Sequence, residues 1–367
     1  MSQCLEIADY SASHFAHTLH TVGSFAWWYA DLTDSEGNGL VLVWAYGLPF
    51  LPGSRLPEPA RARPSLHLAK YTRGRPTFYL LQRYLPHEAS LGHDGQGTLG
   101  ACYFSVSESG HHIQLTSQLN LEIPGSRHRL TGELTLEGRK AALPTADGSP
   151  AHVWAPRCVA ARGQAILAYD GEVHRLEGAA YFDSNLSRLP LQEQGISSWR
   201  WGRVSFDDET VVYYDISGRG GDKTTLVCSQ GRNTKLHFID AAPMFCRERR
   251  GNFGLSGPRQ VDIETSHAHY RFSLDQLVDD GPFYQRYLVT GKRTSLGPHG
   301  GGSATGHGIA ELVHPSKVDV PWQRPFVAMK THHIGARNSL LLPFFSGFRR
   351  DRAKRTVAAW TQSMRSS

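Results

Sequence analysis

The sequence is dominated by short runs of alternating or β-branched residues between closely spaced turns, and helical periodicity is almost absent. The run at 128–137 (HRLTGELTLE) alternates polar and apolar residues as a half-buried strand does. Residues 164–169 and 172–178 flank an Asp-Gly pair, which is typical of a β-hairpin. Similar runs lie at 27–31, 40–46, 210–216, 225–228, 260–265, 269–272 and 283–289. We therefore predict an all-β protein of antiparallel barrels or sandwiches, with a short C-terminal helix at 352–364.

The two halves of the chain are similar to each other. Trp27, Trp28 and Tyr29 lead through a turn into an apolar strand, and the segment from Trp199 to Trp201 does the same in the second half. Each half then ends on a strand that starts with glycine and carries an acid, at 178–183 and at 306–311. Because internal repeats reveal architecture, we predict two consecutive β domains, 1–194 and 195–367.

Composition and motifs exclude several classes of function. A chain of 367 residues with a net charge of +6 is only mildly basic, so nucleic acid is not expected as a partner. The glycine-rich stretches lack phosphate-loop spacing, and no Gly-x-Ser-x-Gly elbow occurs. His267 and His269 have no third ligand at a regular spacing, so no metal site is predicted. Five scattered cysteines indicate free thiols in a reducing compartment.

The two ends of the chain and its apolar segments bear on where the protein is located. Residues 1–20 carry histidines and acids where a signal peptide would have a basic and then an apolar region. No apolar segment approaches the ~20 residues that span a bilayer. The basic run at 348–355 is either a solvated tail or a weak contact with anionic lipid. We expect a cytoplasmic protein, with peripheral contact at the inner membrane as the alternative.

The segment at 181–185 (YFDSN) places a single acid among aromatic residues in mid-chain. On spacing alone, Asp183 and Asn185 are typical of an Asx turn that closes a strand. The alternative is chemical, because an apolar wall raises the pKa of an Asp by disfavouring its charged form. Such an acid keeps its proton near neutral pH and can donate it to a weak base. Local spacing leaves both interpretations open.

Several motifs, in chain order, resemble the carotenoid 1,2-hydratase (hydroxyneurosporene synthase) family. They lie at 23–31 (GSFAWWYAD), 152–156 (HVWAP), 181–185 (YFDSN), 190–191 (PL), 199–203 (WRWGR), 281–286 (GPFYQR) and 308–312 (GIAEL). The resemblance implies two lipocalin-like (calycin) β domains, a fold also found in tocopherol cyclases and lipocalin-like pericyclases. This fold agrees with the repeat.

The resemblance also implies cofactor-free, acid-catalysed hydration of a terminal isoprenoid double bond. Asp183 matches the acid that protonates the alkene, and water captures the resulting tertiary carbocation. Trp154 and Tyr181 match aromatic positions that stabilise this cation, in which cation–π attraction contributes roughly 0.5–2 kcal/mol per ring. His152 matches a position that orients water or relays a proton.

The remaining aromatic residues either fill the core or line an apolar cavity. As a substrate-binding set for a hydrophobic isoprenoid or polyene we predict Trp27, Trp28, Tyr29, Asn185, Trp199 and Trp201. Asn185 combines this role with the turn and with a hydrogen bond to the acid.

The sequence departs from the family pattern next to several of the motif residues. Ala180 stands where the family usually has glycine, Leu186 follows the motif Asn, and Gln192 follows Pro-Leu where glutamate is common.

The sequence leaves three functions of different classes open. The first is an enzyme, a hydro-lyase that hydrates a carotenoid-like substrate. The second is a cyclase or pericyclase on the same scaffold. The third is a non-catalytic carrier of a lipophilic ligand.

Overall fold

The computed structural model describes residues 5–50, 58–146, 150–296, 302–318 and 320–348. The helix predicted at 352–364 and the basic run from residue 349 onward lie outside these ranges.

In the described ranges, the first sheet has 13 strands, and a parallel strand, β1, pairs with β11 beside the main path. The path runs β24-β5-β4-β3-β2-β12-β11-β10-β9-β8-β7-β6. Its strands are β1 (Glu6–Ile7), β2 (Phe25–Thr33), β3 (Gly39–Tyr46), β4 (Pro64–Thr72), β5 (Arg75–Arg83), β6 (Ala89–Leu91), β7 (Gly97–Leu99), β8 (Cys102–Ser109), β9 (His112–Glu122), β10 (Arg129–Arg139), β11 (His152–Tyr169), β12 (Glu172–Ser187) and β24 (Thr331–His333).

The second sheet has nine strands within the same ranges, in the order β16-β15-β14-β13-β23-β22-β21-β20-β17. They are β13 (Ile196–Ser205), β14 (Glu209–Gly218), β15 (Lys223–Gly231), β16 (His237–Ile239), β17 (Met244–Cys246), β20 (Gln260–Glu264), β21 (Ala268–Asp280), β22 (Tyr284–Ser295) and β23 (Ser303–Val313). A separate two-stranded pair is formed by β18 (Arg249–Arg250) and β19 (Ser256–Gly257). The chain changes sheet between Ser187 and Ile196, and β24 returns to the first sheet; the domain division at 194 stays a prediction.

The hairpin predicted around Asp170 and Gly171 is present. Both residues have positive φ, 53° and 80°, and they join β11 to β12 directly. Two consecutive positive φ angles suit the right-handed twist of a hairpin, which explains the Asp-Gly pair. The same hairpin carries 152–156 and 181–185 on adjacent strands, with Trp154 beside Asn185.

Alternation along the strands divides the apolar side chains of the described residues among three clusters. One cluster lies within the first sheet and another within the second, and they contain Phe182 and Tyr213, respectively. The third contains side chains of both sheets, including Trp27 of β2 and Trp199 of β13. The central strands of the two sheets therefore pack against each other through one face while their opposite faces fill separate cores.

A buried ion pair also joins the two sheets at this contact. Arg203 of β13 donates to Asp31 of β2 from Nε, at 2.9 Å, and from Nη2. Neither side chain is exposed to solvent. Arg203 also donates to Thr33 and to the carbonyl of Ala179.

The helices are α1 (Ala12–Leu19), α2 (Arg324–Ala328) and α3 (Leu342–Phe345). Single 3₁₀ turns span Ala60–Ala62, Pro86–Glu88, Leu191–Glu193, Pro315–Lys317 and Pro321–Gln323. The helix α1 was not expected, although Ser11 caps it by accepting from His14 N and Phe15 lies on its buried side. Among the described residues, no helix is both long enough and apolar enough to cross a membrane.

Candidate active site

Asp183 lies on β12, four residues before the strand ends, and is buried between the two sheets with 5% of its surface exposed. Its Oδ2 accepts hydrogen bonds from Trp154 Nε1 at 2.8 Å and from Tyr181 Oη at 2.7 Å. Asn185 Nδ2 lies 3.4 Å from its other oxygen, Oδ1. Tyr181, Asp183 and Asn185 share one face of the strand because side chains alternate. With two donors on Oδ2, the proton of the neutral acid belongs on Oδ1.

Burial raises the pKa of Asp183 to about 7. The hydrogen bonds from Trp154 and Tyr181 lower the pKa, while the negative charges of Glu311 and Asp31 raise it further. Desolvation exceeds the effect of the donors, because no cation among the described residues is paired with the carboxyl group. Near neutral pH a large fraction of the side chain is therefore a neutral carboxylic acid. The Asx-turn alternative does not apply, since β12 continues to Ser187.

Trp154 and Tyr181 are brought together with the acid, but neither lines the pocket beside it. Both are fully buried, and their polar hydrogens point at Asp183. The Trp154 ring packs on Tyr214 at 4.7 Å between ring centroids, and Tyr181 packs on Trp201 at 5.2 Å. Their geometry makes them positioning residues for the acid, with other rings forming the pocket wall.

His152 is 1% exposed, and within the described residues its hydrogen bonds connect it to Asp183 through Asn185. Its Nε2 lies 3.0 Å from Asn185 Oδ1, and its Nδ1 lies 3.0 Å from Gln194 Oε1. Burial lowers the pKa of His152 to about 4, although both hydrogen bonds oppose this shift. The imidazole is therefore neutral at pH 7 and donates from one nitrogen only.

Gln194 determines which nitrogen of His152 carries the proton. Its Nε2 donates to Ser187 Oγ at 2.9 Å and to the carbonyl of Leu189 at 3.1 Å, so its Oε1 must face the imidazole. Nδ1 then donates to Gln194, and Nε2 is left as an acceptor. If the Asn185 amide is turned by 180°, its Nδ2 donates to His152 Nε2 and its Oδ1 accepts from the protonated carboxyl group of Asp183.

A largely apolar pocket opens in front of Asp183, between the central strands of the two sheets. Trp27 and Tyr29 of β2 line one wall, with Asn185 next to the acid. Trp199 and Trp201 of β13 line the other wall. The walls meet through aromatic pairs, with 6.0 Å between the rings of Trp27 and Trp199 and 5.4 Å between those of Tyr29 and Trp201. Tyr214, which was not predicted, also lines the pocket.

Trp28 lies outside the pocket, and its prediction as a substrate-binding residue is wrong. It occupies the opposite face of β2, where its ring is 5.8 Å from that of Phe104 and 5.7 Å from that of Phe15. The period of two along a strand sends adjacent side chains to opposite faces, so Trp27 and Trp28 cannot share a cavity wall. Trp28 belongs to the core of the first sheet.

A charged network borders the pocket and was not predicted as part of the site. Arg286 of β22 is 3% exposed; its Nε donates to Glu311 Oε1 at 2.8 Å and its Nη1 to Asp279 Oδ2 at 3.1 Å. Tyr71 donates to Asp279 and accepts from Arg286. Tyr29 Oη donates to Glu311 Oε1 at 3.3 Å, which connects the network to the aromatic wall. The motifs at 281–286 and 308–312 contain two of these residues, but sequence spacing does not show that β22 and β23 pair them.

Four polar atoms of the pocket lining are buried without a hydrogen-bond partner among the described residues. They are Trp201 Nε1, Tyr214 Oη, Tyr284 Oη and His67 Nε2. Buried polar groups are normally hydrogen-bonded, so this lining suits a guest that brings a polar atom or a water molecule with it. Within the same part of the chain, no three His, Cys, Asp or Glu side chains are grouped as metal ligands.

The chain is similar to proteins with known names. An acyclic carotenoid 1,2-hydratase of Thiocapsa roseopersicina is 24% identical over 278 residues, which cover 73% of this chain and 65% of the relative. The chain thus spans just under two thirds of that relative's length. A hydroxyneurosporene dehydrogenase of Chlorobaculum tepidum is 22% identical. The matched region covers 88% of this chain and 91% of that relative.

Two solved structures share the fold. A putative AttH protein from Nitrosomonas europaea has a TM-score of 0.54 and 15% identity, over 80% of this chain and 93% of that one. CghA with Sch210972 has a TM-score of 0.51 and 12% identity, over 79% of this chain and 88% of that one. The predicted all-β, lipocalin-like fold is confirmed. Residues 107–332, well over half of the chain, match the family described as carotenoid hydratase CrtC. The chain therefore belongs to the carotenoid hydratase CrtC family.

Proposed function

We propose that the protein is a hydro-lyase that adds water across the terminal double bond of an acyclic, carotenoid-like polyene, with Asp183 as the proton donor. The observation that carries this proposal is the position of a buried acid with a pKa of about 7 at an aromatic-lined pocket. An isolated alkene is a very weak base, so its protonation needs a desolvated acid held against the less substituted carbon. The acyclic carotenoid 1,2-hydratases among its relatives carry the same reaction in their names.

In the first step, the proton on Asp183 Oδ1 moves to the alkene carbon, and the positive charge develops on the tertiary carbon. Trp154 and Tyr181 stabilise the carboxylate that remains, because both already donate to Oδ2. The rings of Trp27, Tyr29, Trp199, Trp201 and Tyr214 line the pocket and offer their faces to the cation. Each contributes roughly 0.5–2 kcal/mol of cation–π attraction.

In the second step, water adds to the tertiary carbon and loses a proton to the Asp183 carboxylate, which returns the acid to its starting form. The net reaction is alkene plus water to tertiary alcohol. The unpartnered Tyr214 Oη and Trp201 Nε1 suit the water molecule, since they are polar atoms beside the aromatic wall. Tyr29, hydrogen-bonded to Glu311, gives the same region a third polar group.

The pocket suits one end of a long substrate. Its cavity volume is about 150 Å³, close to that of an engineered cavity that holds benzene. A terminal isoprene unit has five carbons and is similar in size to that ring. The rest of a polyene must then leave through the mouth of the pocket. Two departures from the family pattern, Ala180 and Leu186, lie on the opposite face of β12 and leave this site unchanged.

The reaction class is tested by the fate of labelled water. We expect an acyclic carotene in detergent to become a tertiary alcohol that contains one ¹⁸O atom when the enzyme works in H₂¹⁸O. A mass-neutral isomer without ¹⁸O would indicate the cyclase alternative. Binding of the polyene without any product would indicate the carrier. Either result overturns the proposed hydration.

A further inference from the structure

Exposed apolar side chains line the pocket or lie next to lining residues. Phe253 and Phe326 line the pocket and contact each other with 5.9 Å between ring centroids, and Trp322 lies against Phe326 at 6.2 Å. Leu340 and Leu341 precede α3, whose Phe345 lines the same pocket. These five exposed side chains, Phe253, Trp322, Phe326, Leu340 and Leu341, are called the mouth patch below.

The exposure of the mouth patch is too high for a surface that only faces water. Leu340 is 89% exposed, Trp322 is 57% exposed and Leu341 is 49% exposed. Single exposed apolar residues are ordinary, but a group of them beside a binding pocket marks an interaction site. The large aromatic members favour an interfacial setting, since tryptophan is preferred at the boundary of water and lipid.

The segment that carries four of the five mouth-patch residues is positively charged. From 315 to 348 the sequence contains four Lys or Arg residues and one acid, Asp319. Lys330 lies at the pocket mouth with its Nζ 5.4 Å from the Tyr79 ring. No ion pair of Lys330 or Arg337 is found within the described part of the chain. Cations beside exposed apolar side chains are the combination that holds a protein at an anionic lipid surface.

We infer that the mouth patch docks the protein on an anionic lipid bilayer, with the open end of the pocket facing the membrane. The pocket holds only the end of a long polyene, so the remainder of the substrate needs a hydrophobic place outside. The bilayer provides that place directly at the mouth. The inference rests on the proposed function for the identity of the substrate, but docking itself requires neither substrate nor turnover.

The test is flotation of the full-length protein with vesicles, without substrate. Vesicles of phosphatidylcholine alone are compared with vesicles that contain about one third phosphatidylglycerol, at low and high salt. We expect binding to the anionic vesicles that weakens with salt. The triple variant Trp322→Ser, Leu340→Ser, Leu341→Ser should lower the partition coefficient about tenfold or more, because less apolar area is buried in lipid. None of these three residues lines the pocket.

A matched control replaces equally exposed apolar residues elsewhere. The variant Val173→Ser, Phe238→Ser, Met244→Ser removes side chains that are 60%, 54% and 53% exposed, and it should float as the wild type does. Equal flotation of both triple variants would overturn the docking inference. The inference would also be overturned if the wild type sediments as a dimer and the triple variant of the mouth patch sediments as a monomer. The patch would then join two copies of the chain.

Hydration measured in detergent separates this inference from the proposed function. If the triple variant of the mouth patch hydrates solubilised substrate normally and no longer binds vesicles, the docking inference and the proposed function are both supported. Normal hydration by a wild type that never binds vesicles contradicts docking alone. Vesicle binding through the patch by a protein that forms no alcohol contradicts the proposed function alone.

Discussion

Asp183 illustrates how a single residue acquires reactivity from what surrounds it. An aspartate in water is ionised at pH 7, but here the strands on both sides exclude solvent and raise its pKa to about 7. Trp154 and Tyr181 oppose the shift through their hydrogen bonds to Oδ2. The balance leaves an acid that is available near neutral pH and a carboxylate that is still stabilised once the proton has left.

The pKa of Asp183 predicts the pH dependence of the chemical step. The rate of a single turnover should be nearly constant below pH 7 and fall about tenfold for each pH unit above it, because only the protonated acid donates. His152 has a pKa of about 4 and stays neutral over this interval. Rapid-quench measurements between pH 5.5 and 9 check the profile, and a rate that rises through pH 7 would contradict the assignment.

The same pKa shift reverses the way in which a carboxylate usually makes the stability of the folded protein depend on pH. The folded protein holds the Asp183 proton more tightly than the unfolded chain does, since the ordinary pKa is 3.8. The stabilisation is therefore complete below about pH 4 and is lost as pH rises through about 7. An isosteric Asp183→Asn side chain removes this dependence, so the variant should be relatively more stable at alkaline pH.

At the scale of elements, β2 and β13 are the strands that hold the two walls of the site together. Arg203 and Asp31 pair between them in full burial, beside the aromatic contacts that line the pocket. A buried pair of this kind contributes little compared with apolar residues of the same volume, but removing one partner leaves an uncompensated charge. The position of both walls thus depends on both partners being present.

Replacement of one partner should therefore be far more costly than replacement of both. We expect Arg203→Ala to lower the free energy of unfolding by about 3–5 kcal/mol, and the double variant Arg203→Met, Asp31→Leu to recover most of that loss. Urea denaturation followed by circular dichroism measures both. Lys140→Ala, which breaks the partly exposed pair with Glu108, is the control and should change stability by less than about 1 kcal/mol. A similar loss in the double variant would contradict the argument.

The strands themselves were predictable because alternation and turn residues are local signals. The hairpin at Asp170 and Gly171, and the strands that carry Trp27 and Trp201, all follow from such patterns. The helix α1 was missed because it is only eight residues long and begins on an ordinary Ser cap. Trp28 was misplaced because every residue of β2 is buried, so the burial expected from its sequence does not show which face of the strand meets the pocket.

At the scale of the whole molecule, the pocket is a product of two sheets, with the acid supplied by one sheet and much of the aromatic wall by the other. Asp183 was identifiable from the motif at 181–185, and His152 and Trp154 from the adjacent motif. The network of Arg286, Glu311, Asp279 and Tyr71 was not, since its members come from four strands. Arg286 meets Glu311 and Asp279 through strand pairing in the second sheet, and Tyr71 joins them only where the two sheets pack. Long-range pairing of this kind leaves no local pattern in a sequence.

In the proposed reaction, the same two-sheet arrangement separates substrate binding from catalysis. The apolar walls are built from uncharged side chains of both sheets, among them Trp27 and Trp199. An Asn side chain at 183 has the same shape, and its oxygen can accept from Trp154 and Tyr181 as the carboxyl group does. Loss of the proton alone should therefore leave the pocket intact.

The most direct test of this account is single-turnover hydration of an acyclic carotene by wild type and Asp183→Asn, with binding measured separately by the absorbance of the bound polyene. In D₂O the wild-type product should carry one carbon-bound deuterium. The variant should bind with unchanged affinity and react about 10²–10⁴-fold more slowly, the usual contribution of a general acid. A variant that hydrates within tenfold of the wild-type rate would contradict the assignment of Asp183 as the proton donor.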